Sequence, residues 1–405
     1  MFQPVYKSGA ITKLPWQLQL LKTPSCWPLK KDANILIRVA YEIFFILLMI
    51  SFTLTLSAEY YFVFEHTAEI LLTTECLCTS FIGTEAWIRV INLKVQKNKM
   101  RDTIEKFYRK IYIQKSENEK HKKDINRQLL LVIILTYNYI IPAAIILSSP
   151  FIILIMNPNI EEKPFSYPMV FFYDAQNRIT YPITLVYTVW VGLSCICIII
   201  SENMIISLML CHTAARYKML QERIKSLYTD CVLVAEKDEE KVPILFWNGL
   251  KQIIQEHQRI DSFAADLRSF LSLQIFLIIT IGVFMLCVIA FQIATFGLNA
   301  GTIKYLTWLV SSLIEIYVLG RNGQRLTDAL GYMYYMSNWE DVIFHGDQRT
   351  NVAIMKDLSF AIFRSQKVVE LTAMKFLSLS LISIERAIST SISYFMFLIT
   401  MRDRS

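Results

Sequence analysis

Apolar residues along this chain come in long runs separated by charged gaps. Seven of these runs are long enough, or within about a turn of long enough, to cross about 30 Å of hydrocarbon at about 1.5 Å per helical residue. They occupy residues 35–57, 67–91, 129–156, 182–210, 270–296, 304–319 and 376–400. The sixth is the shortest, and Lys304, Glu315 and Arg321 bracket or interrupt it. The seventh is the most polar: eight of the 26 residues at 375–400 are Ser or Thr, and Glu385 and Arg386 lie within it. A helix with such a face suits protein or water better than lipid. The pattern predicts an all-α membrane protein with seven transmembrane helices.

The charged gaps alternate in density, and that sets an orientation. Lys plus Arg number five up to Lys31, twelve at 93–128, nine at 211–269 and seven at 320–375. The intervening loops hold none at 58–66, two (Lys163 and Arg178) at 157–181 and none at 297–303. Basic loops stay on the cytosolic side, so the N-terminus is expected inside and, after seven crossings, the C-terminus outside. No h-region or small-residue cleavage site precedes the first span, which is expected to act as the targeting signal.

Two cytosolic stretches carry helical seams. Leu220, Ile224, Leu227 and Cys231 alternate by three and four, as do Phe246, Leu250, Ile253, His257, Ile260, Ala264, Leu267 and Leu271. That spacing marks helices with one buried stripe. The charged stretch 236–241 and Pro243 separate them, so the fourth and fifth membrane helices are expected to continue into the cytosol as a hairpin. Val352, Met355, Ser359 and Ile362 suggest a further amphipathic helix over 351–369. The expected organisation is a cytosolic segment 1–34, helices one to four over 35–210, the hairpin anchor 211–269, helices five and six over 270–319, a cytosolic anchor segment 320–375, and the last helix with an extracellular tail at 376–405.

Composition agrees: 54% of residues are hydrophobic, mean hydropathy is +0.40 and only 11 glycines occur in 405 residues. The formal charge of +7 resides mostly in the gaps, which argues against a basic nucleic-acid-binding domain. The eight cysteines fall outside every expected extracellular segment, so no disulfide framework is indicated. Cys76/Cys78 and Cys195/Cys197 read as small interior residues, because positions two apart on a helix face different ways. The histidines at 66, 121, 212, 257 and 345 form no metal-binding pair, and no phosphate loop, dinucleotide fingerprint or nucleophile elbow is present. Neither enzyme, cofactor nor metal site is expected. His257, on the hairpin seam, reads as a hydrogen-bonded interior residue. Among ionisable residues inside spans, Glu202 and Glu315 read as positions near cytosolic helix ends. Glu75 sits nearer mid-span, either as a buried structural partner or as a ligand contact.

The C-terminal third holds Arg364-Ser365-Gln366-Lys367, Leu371-Thr372-Ala373-Met374-Lys375-Phe376, Ser378-Leu379-Ser380-Leu381 and Ser391-Ile392-Ser393-Tyr394-Phe395 before an apolar tail. In these pieces and their spacing the chain resembles the insect odorant receptor family. The inverted seven-helix topology and the long second outer loop match more loosely. Ser393-Tyr394 followed by Thr400-Met401 separates it from the related gustatory receptors. The 211–269 connection is shorter than that of the family's shared co-receptor, which points to an odorant-tuned subunit. Many relatives carry an acid just after the Ser-Leu pair, where this chain has Ile382 and places its acid at Glu385.

The resemblance implies a ligand-gated, non-selective cation channel: a heterotetramer with the odorant co-receptor in a multi-pass plasma membrane, in the olfactory neuron dendrite. The last helix of each subunit lines the pore, and the cytosolic helices form the anchor. The family's gate motif falls on Phe397 and Met401, and helical stepping from Phe397 adds Ser393, Thr390, Arg386 and Ser383. An apolar plug can gate by dewetting, and hydroxyls can replace ion hydration. Arg386 fits such a stripe least, since a cation repels the cargo. For a small volatile, the outer halves of the helices offer Thr73, Ile145, Ser148, Phe151, Tyr187, Trp190, Val191, Ser194, Phe291, Tyr305, Trp308 and Leu309. Aromatic walls with a few hydroxyls suit such a ligand. A gustatory-type channel and a multi-pass transporter remain as alternatives at this point.

Overall fold

The computed structural model describes residues 5–7, 10–13, 16–27, 34–114, 116–157, 160, 162–236, 238–297, 302–328, 334, 337–343, 347–366, 371–374 and 376–402. Lys367, Lys375, His345 and the expected end of the amphipathic helix at 369 lie outside the described residues. Among those described, seven helices have 22 residues or more: α1 (Ile35–Glu65), α2 (Ile70–Val95), α3 (Glu119–Met156), α4 (Thr180–Ala235), α5 (Val242–Phe296), α6 (Ile303–Asp328) and α7 (Leu381–Arg402). Six of them are long and apolar enough to cross a membrane. The exception is α2, which carries Glu75, Glu85, Arg89 and Lys94 along its length. Of these, Glu85 and Arg89 turn inward, as described below.

Helices α4 and α5 have 56 and 55 residues, about 80 Å at 1.5 Å per residue, far more than a bilayer needs. They pack along one another, and every residue of the Leu220–Cys231 and Phe246–Leu271 seams is buried. Gly249 permits the close approach, since a Cβ there would lie 2.5 Å from Leu227 Cδ1. Helix α3 also exceeds the hydrocarbon thickness at 38 residues, so its first turns, with Lys120, Lys122, Lys123, Asp124 and Arg127, extend beyond the apolar run that begins at Leu129.

Several expected boundaries shift. The span expected at 35–57 continues to Glu65, because the 58–66 stretch contains no helix breaker; Glu59 therefore belongs to a helix rather than a loop. The last span starts at Leu381 instead of 376. Leu377–Ser378 pairs antiparallel with Thr372–Ala373, and Ser380 Oγ accepts the Ser383 N–H at 3.2 Å as an N-cap. The amphipathic helix runs Gln348–Ser365, capped by Asp347. Its buried seam is Ile354, Leu358, Ala361 and Ser365, while Val352, Met355 and Ser359 are exposed. Both sets satisfy helical spacing, and tertiary packing selects the one facing α5, where Trp247 Nε1 donates to Asp357 at 2.9 Å.

Helix α7 rests on α5 and α6 by one narrow face, Ile384, Ala387 and Ser391. Gly320 and Gly323 of α6 make this possible. A Cβ at Gly323 would collide with the Leu379 carbonyl oxygen, and one at Gly320 with the Ile384 side chain.

Candidate functional site

A partly open cavity of about 100 Å³ lies between α1, α2, α3, α4 and α6, toward the end of the bundle that carries the α1–α2 and α3–α4 connections. Its wall is mostly apolar. Phe52 and Glu59 come from α1, Tyr139 and Leu147 from α3, and Val191 from α4, with Trp308 from α6. Tyr167, from the α3–α4 connection, forms the roof. In the measure by which a cavity of about 150 Å³ accepts benzene, this one takes a molecule of a few heavy atoms.

The roof is fastened by backbone and side-chain hydrogen bonds. Tyr167 Oη donates to the Thr188 carbonyl at 3.0 Å, Val170 N–H to the Ala58 carbonyl at 3.1 Å and Tyr181 Oη to the Pro164 carbonyl at 2.8 Å. Gly192 sits beneath it, where a Cβ would lie 2.5 Å from Tyr167 Oη and 2.6 Å from Leu147 Cδ2. Gly83 does the same for α1, since a Cβ there would lie 2.9 Å from Leu56 Cδ2.

Of the ligand positions expected from sequence, Val191 and Trp308 line this cavity. Ser148 and Phe151 instead line a larger, open groove of about 450 Å³ between α3 and α4, which shares Ala143, Leu147 and Ile196 with the cavity wall. Tyr187 bonds Tyr173 Oη at 2.8 Å and so ties α4 to the roof connection. Thr73 donates to the His66 carbonyl at 2.6 Å. Tyr305 donates to Glu75 at 3.0 Å beside Lys304 at 2.9 Å, which gives Glu75 a structural pairing. Trp190 and Leu309 pack against the core, Phe291 and Ser194 are buried, and Ile145 is exposed on the outer face of α3. Sequence reading missed α1 entirely, and with it Phe52 and Glu59.

Beyond Trp308 a small extension of about 30 Å³ leads to Glu85 and Glu315. Here four helices meet at Arg89, which is 0% exposed. Its guanidinium pairs with Glu85 one turn away, with Glu202 of α4 at 3.3 Å and with Glu315 of α6 at 3.8 Å. Asn203 Nδ2 donates to Glu315 at 2.8 Å, and Tyr139 Oη donates to its other oxygen. Glu202 and Glu315, expected near cytosolic helix ends, are thus members of an internal ion cluster. Through Tyr139 the cluster touches the cavity wall.

On α7 the expected pore residues Arg386, Thr390, Ser393, Phe397 and Met401 are all exposed, and Ser383 is half-buried. Phe397 is 61% exposed. They form one stripe, about a quarter turn around the helix from Ile384, Ala387 and Ser391.

Apolar spanning helices around a largely apolar cavity, with one Ser/Thr-bearing helix left exposed along a face, are the architecture of a multi-pass helical membrane receptor for a small hydrophobic ligand. The family model for seven-transmembrane odorant receptors matches residues 66–392, and the chain belongs to that family. It is 29% identical to odorant receptor 13a of Drosophila melanogaster over 95% of this chain and 94% of that protein. It is 24% identical to odorant receptor 74a of the same fly over 99% of each. Among solved structures, its fold is similar to that of olfactory receptor OR5 from Machilis hrabei in complex with eugenol, with a TM-score of 0.77 at 10% identity over 95% of this chain and 98% of that one. The structure of that receptor described without eugenol gives 0.76 at 11% identity over 95% and 97%.

Proposed function

We propose that this chain is the odorant-tuned subunit of a ligand-gated, non-selective cation channel, assembled with the odorant co-receptor as a heterotetramer in the plasma membrane of the olfactory neuron dendrite. The observation that carries this reading is the uncovered stripe of α7. A hydroxyl-bearing run from Thr390 to Ser393 that continues into Phe397 and Met401 is unsuited to lipid at one end and suited to dewetting at the other. Four such helices around an axis would bury it in a water-filled path. In this reading all seven long helices span the bilayer, α2 included, with the N-terminus in the cytosol and the C-terminus outside. The extended halves of α4 and α5 serve as the cytosolic anchor. The ligand occupies the cavity beneath Tyr167 and shifts α6, which supports α7 through Gly320 and Gly323.

The test is co-expression with the co-receptor in oocytes and an odour panel under voltage clamp. Odour-evoked cation current that requires both subunits is the expected result. Transport or turnover without gated current would remove the channel reading.

A further inference from the structure

The cavity is lined by one carboxyl side chain, and its surroundings are lopsided. Glu59 lines the cavity at 2% exposure. No Lys, Arg or His forms an ion pair with it among the described residues. The hydroxyls of Thr79 and Ser80 adjoin its carboxyl and bring no positive charge. Both lie 2.9 Å from the Cys76 carbonyl, which competes for their protons.

The other hydroxyls of the wall are similarly committed. Thr55 Oγ1 donates to the Ser51 carbonyl at 2.9 Å, Tyr167 Oη to the Thr188 carbonyl at 3.0 Å and Tyr139 Oη to Glu315. Thr55 and Tyr167 have therefore spent their hydroxyl protons on protein and can only accept, while the Tyr139 hydroxyl is turned to the ion cluster. With the Glu59 carboxylate, the wall holds more acceptors than donors, the Trp308 indole N–H being a donor on it. Phe52, Tyr139, Tyr167 and Trp308 add four aromatic rings around the same space.

A buried carboxylate without a cation, hydroxyls turned to accept, and aromatic rings together describe a site for an ammonium group. We propose that this cavity takes small volatile amines, with Glu59 as the residue that fixes the amino group. The proposal rests on the cavity being the ligand site and adds the chemical class of the ligand. It holds for either protonation state of Glu59. An ionised carboxylate pairs with an ammonium ion. A protonated one transfers its proton to an amine arriving in its neutral, membrane-permeant form: the O–H bond breaks, an N–H bond forms on the amine lone pair, and the same ion pair results. An ether or ester of equal size has no proton to offer those acceptors and forms no ion pair with Glu59; at most it accepts one neutral hydrogen bond from a protonated carboxyl. A short alcohol falls between, with one proton and no charge.

The test uses the full chain with the co-receptor in oocytes and three matched series of equal carbon skeleton: primary amines, alcohols and methyl ethers. The variants are Glu59→Gln, which keeps the shape, and Val191→Trp, which fills the cavity. Surface amounts are measured by labelling. The wild type is expected to respond to the best amine at about tenfold lower concentration than to its alcohol, a difference typical of one charged contact. Glu59→Gln is expected to lose that preference while keeping its alcohol and ether responses. Val191→Trp is expected to lose all three. Amine preference unchanged in Glu59→Gln, with responses abolished in Val191→Trp, would overturn the Glu59 assignment and leave the cavity standing. Amine responses intact in Val191→Trp would overturn the cavity as well. If Glu59→Gln does not reach the surface, Glu59→Asp, which shortens the side chain and keeps the charge, must show a weakened but retained amine preference. No response to any amine of the series, with alcohols or ethers active, also overturns the proposal.

Discussion

Arg89 and Glu202 face each other at 3.3 Å across α2 and α4, both fully enclosed, and Arg89 is the single guanidinium serving Glu85, Glu202 and Glu315. Three carboxylates around one cation leave a formal excess of two negative charges if all ionise. Removing the cation is therefore far more damaging than removing an acid. Arg89→Leu is expected to cost about 3–5 kcal/mol, because it strands buried carboxylates. The protein should then fail to reach the surface, as read by surface labelling and by melting of the purified chain. Glu202→Gln lowers the excess charge and should fold at least as well as the wild type. Normal surface levels and melting for Arg89→Leu would show that the cluster does not hold these helices together.

Tyr139 belongs to both the cavity and the cluster: its ring lines the one and its hydroxyl donates to Glu315 in the other. Tyr139→Phe keeps the ring and leaves a Glu315 oxygen without its donor, a loss of about 1–3 kcal/mol for a buried charged acceptor. The expected outcome is a shift in the concentration needed for half-maximal current, with the rank order of odorants preserved. A changed rank order with unchanged sensitivity would mean that the hydroxyl contacts ligand and does not join the two sites.

Most of the helical plan is local and therefore legible in the sequence. Runs such as 270–296 are uniformly apolar, and the three-and-four spacing from Leu220 to Cys231 needs no tertiary information. The site is another matter. In α1 nearly every residue is apolar, so periodicity has no contrast from which to pick out an inward face, and Glu59 follows the strict apolar run closely enough to read as loop. Arg89 and Glu85 sit one turn apart near the end of a span and resemble an ordinary surface pair, yet Glu202 and Glu315 reach them only through packing. The same limit explains the amphipathic helix before α7. Ile354-Leu358-Ala361 and Val352-Met355-Ile362 have equally good spacing, and only the surface of α5 decides between them. Val191 and Trp308 fall in the cavity because aromatic and aliphatic residues on the same halves of α4 and α6 are a sound prior. Tyr187 satisfies that prior and bonds the roof connection instead.

The α7 stripe can be probed residue by residue. Cysteines placed at Ser393 or Phe397 should be modified by a charged, membrane-impermeant thiol reagent in open channels, with current reduced. A cysteine at Ala387, on the buried face, should be protected. Phe397→Ala should raise current in the absence of odorant by thinning the apolar plug. Arg386→Ala should change conductance or cation selectivity, since at about 4 Å an ion feels a fixed charge even through high dielectric by roughly 1 kcal/mol. Unchanged permeation would remove Arg386 from the stripe.

Lys122, on the part of α3 beyond the apolar run, supplies a pH dependence. It is 4% exposed, its Nζ lies 3.0 Å from Tyr112 Oη and 4.2 Å from that ring's centroid, and no carboxylate neutralises it among the described residues. Burial brings its pKa down to about 8. His212 Nδ1 accepts the Ile113 N–H at 3.0 Å, so its neutral ring carries its proton on Nε2, 3.5 Å from Lys122 Nζ. Burial first, then the charges of Lys122 and Arg216, keep that imidazole well below its ordinary range. The remaining charged neighbours are already engaged: Arg216 with Glu117, and Glu222 with His121 at 2.8 Å. Between pH about 8 and the ordinary lysine value of about 10.4 the unfolded chain binds a proton that the folded chain does not, so stability rises with pH across that window. Below it both states are charged, and the folded state bears the full penalty. Lys122→Met should accordingly raise the melting temperature at pH 7 and flatten its climb between pH 8 and 10. A melting temperature that falls over that interval in the wild type, or that climbs equally in Lys122→Met, would show that Lys122 is not the group responsible.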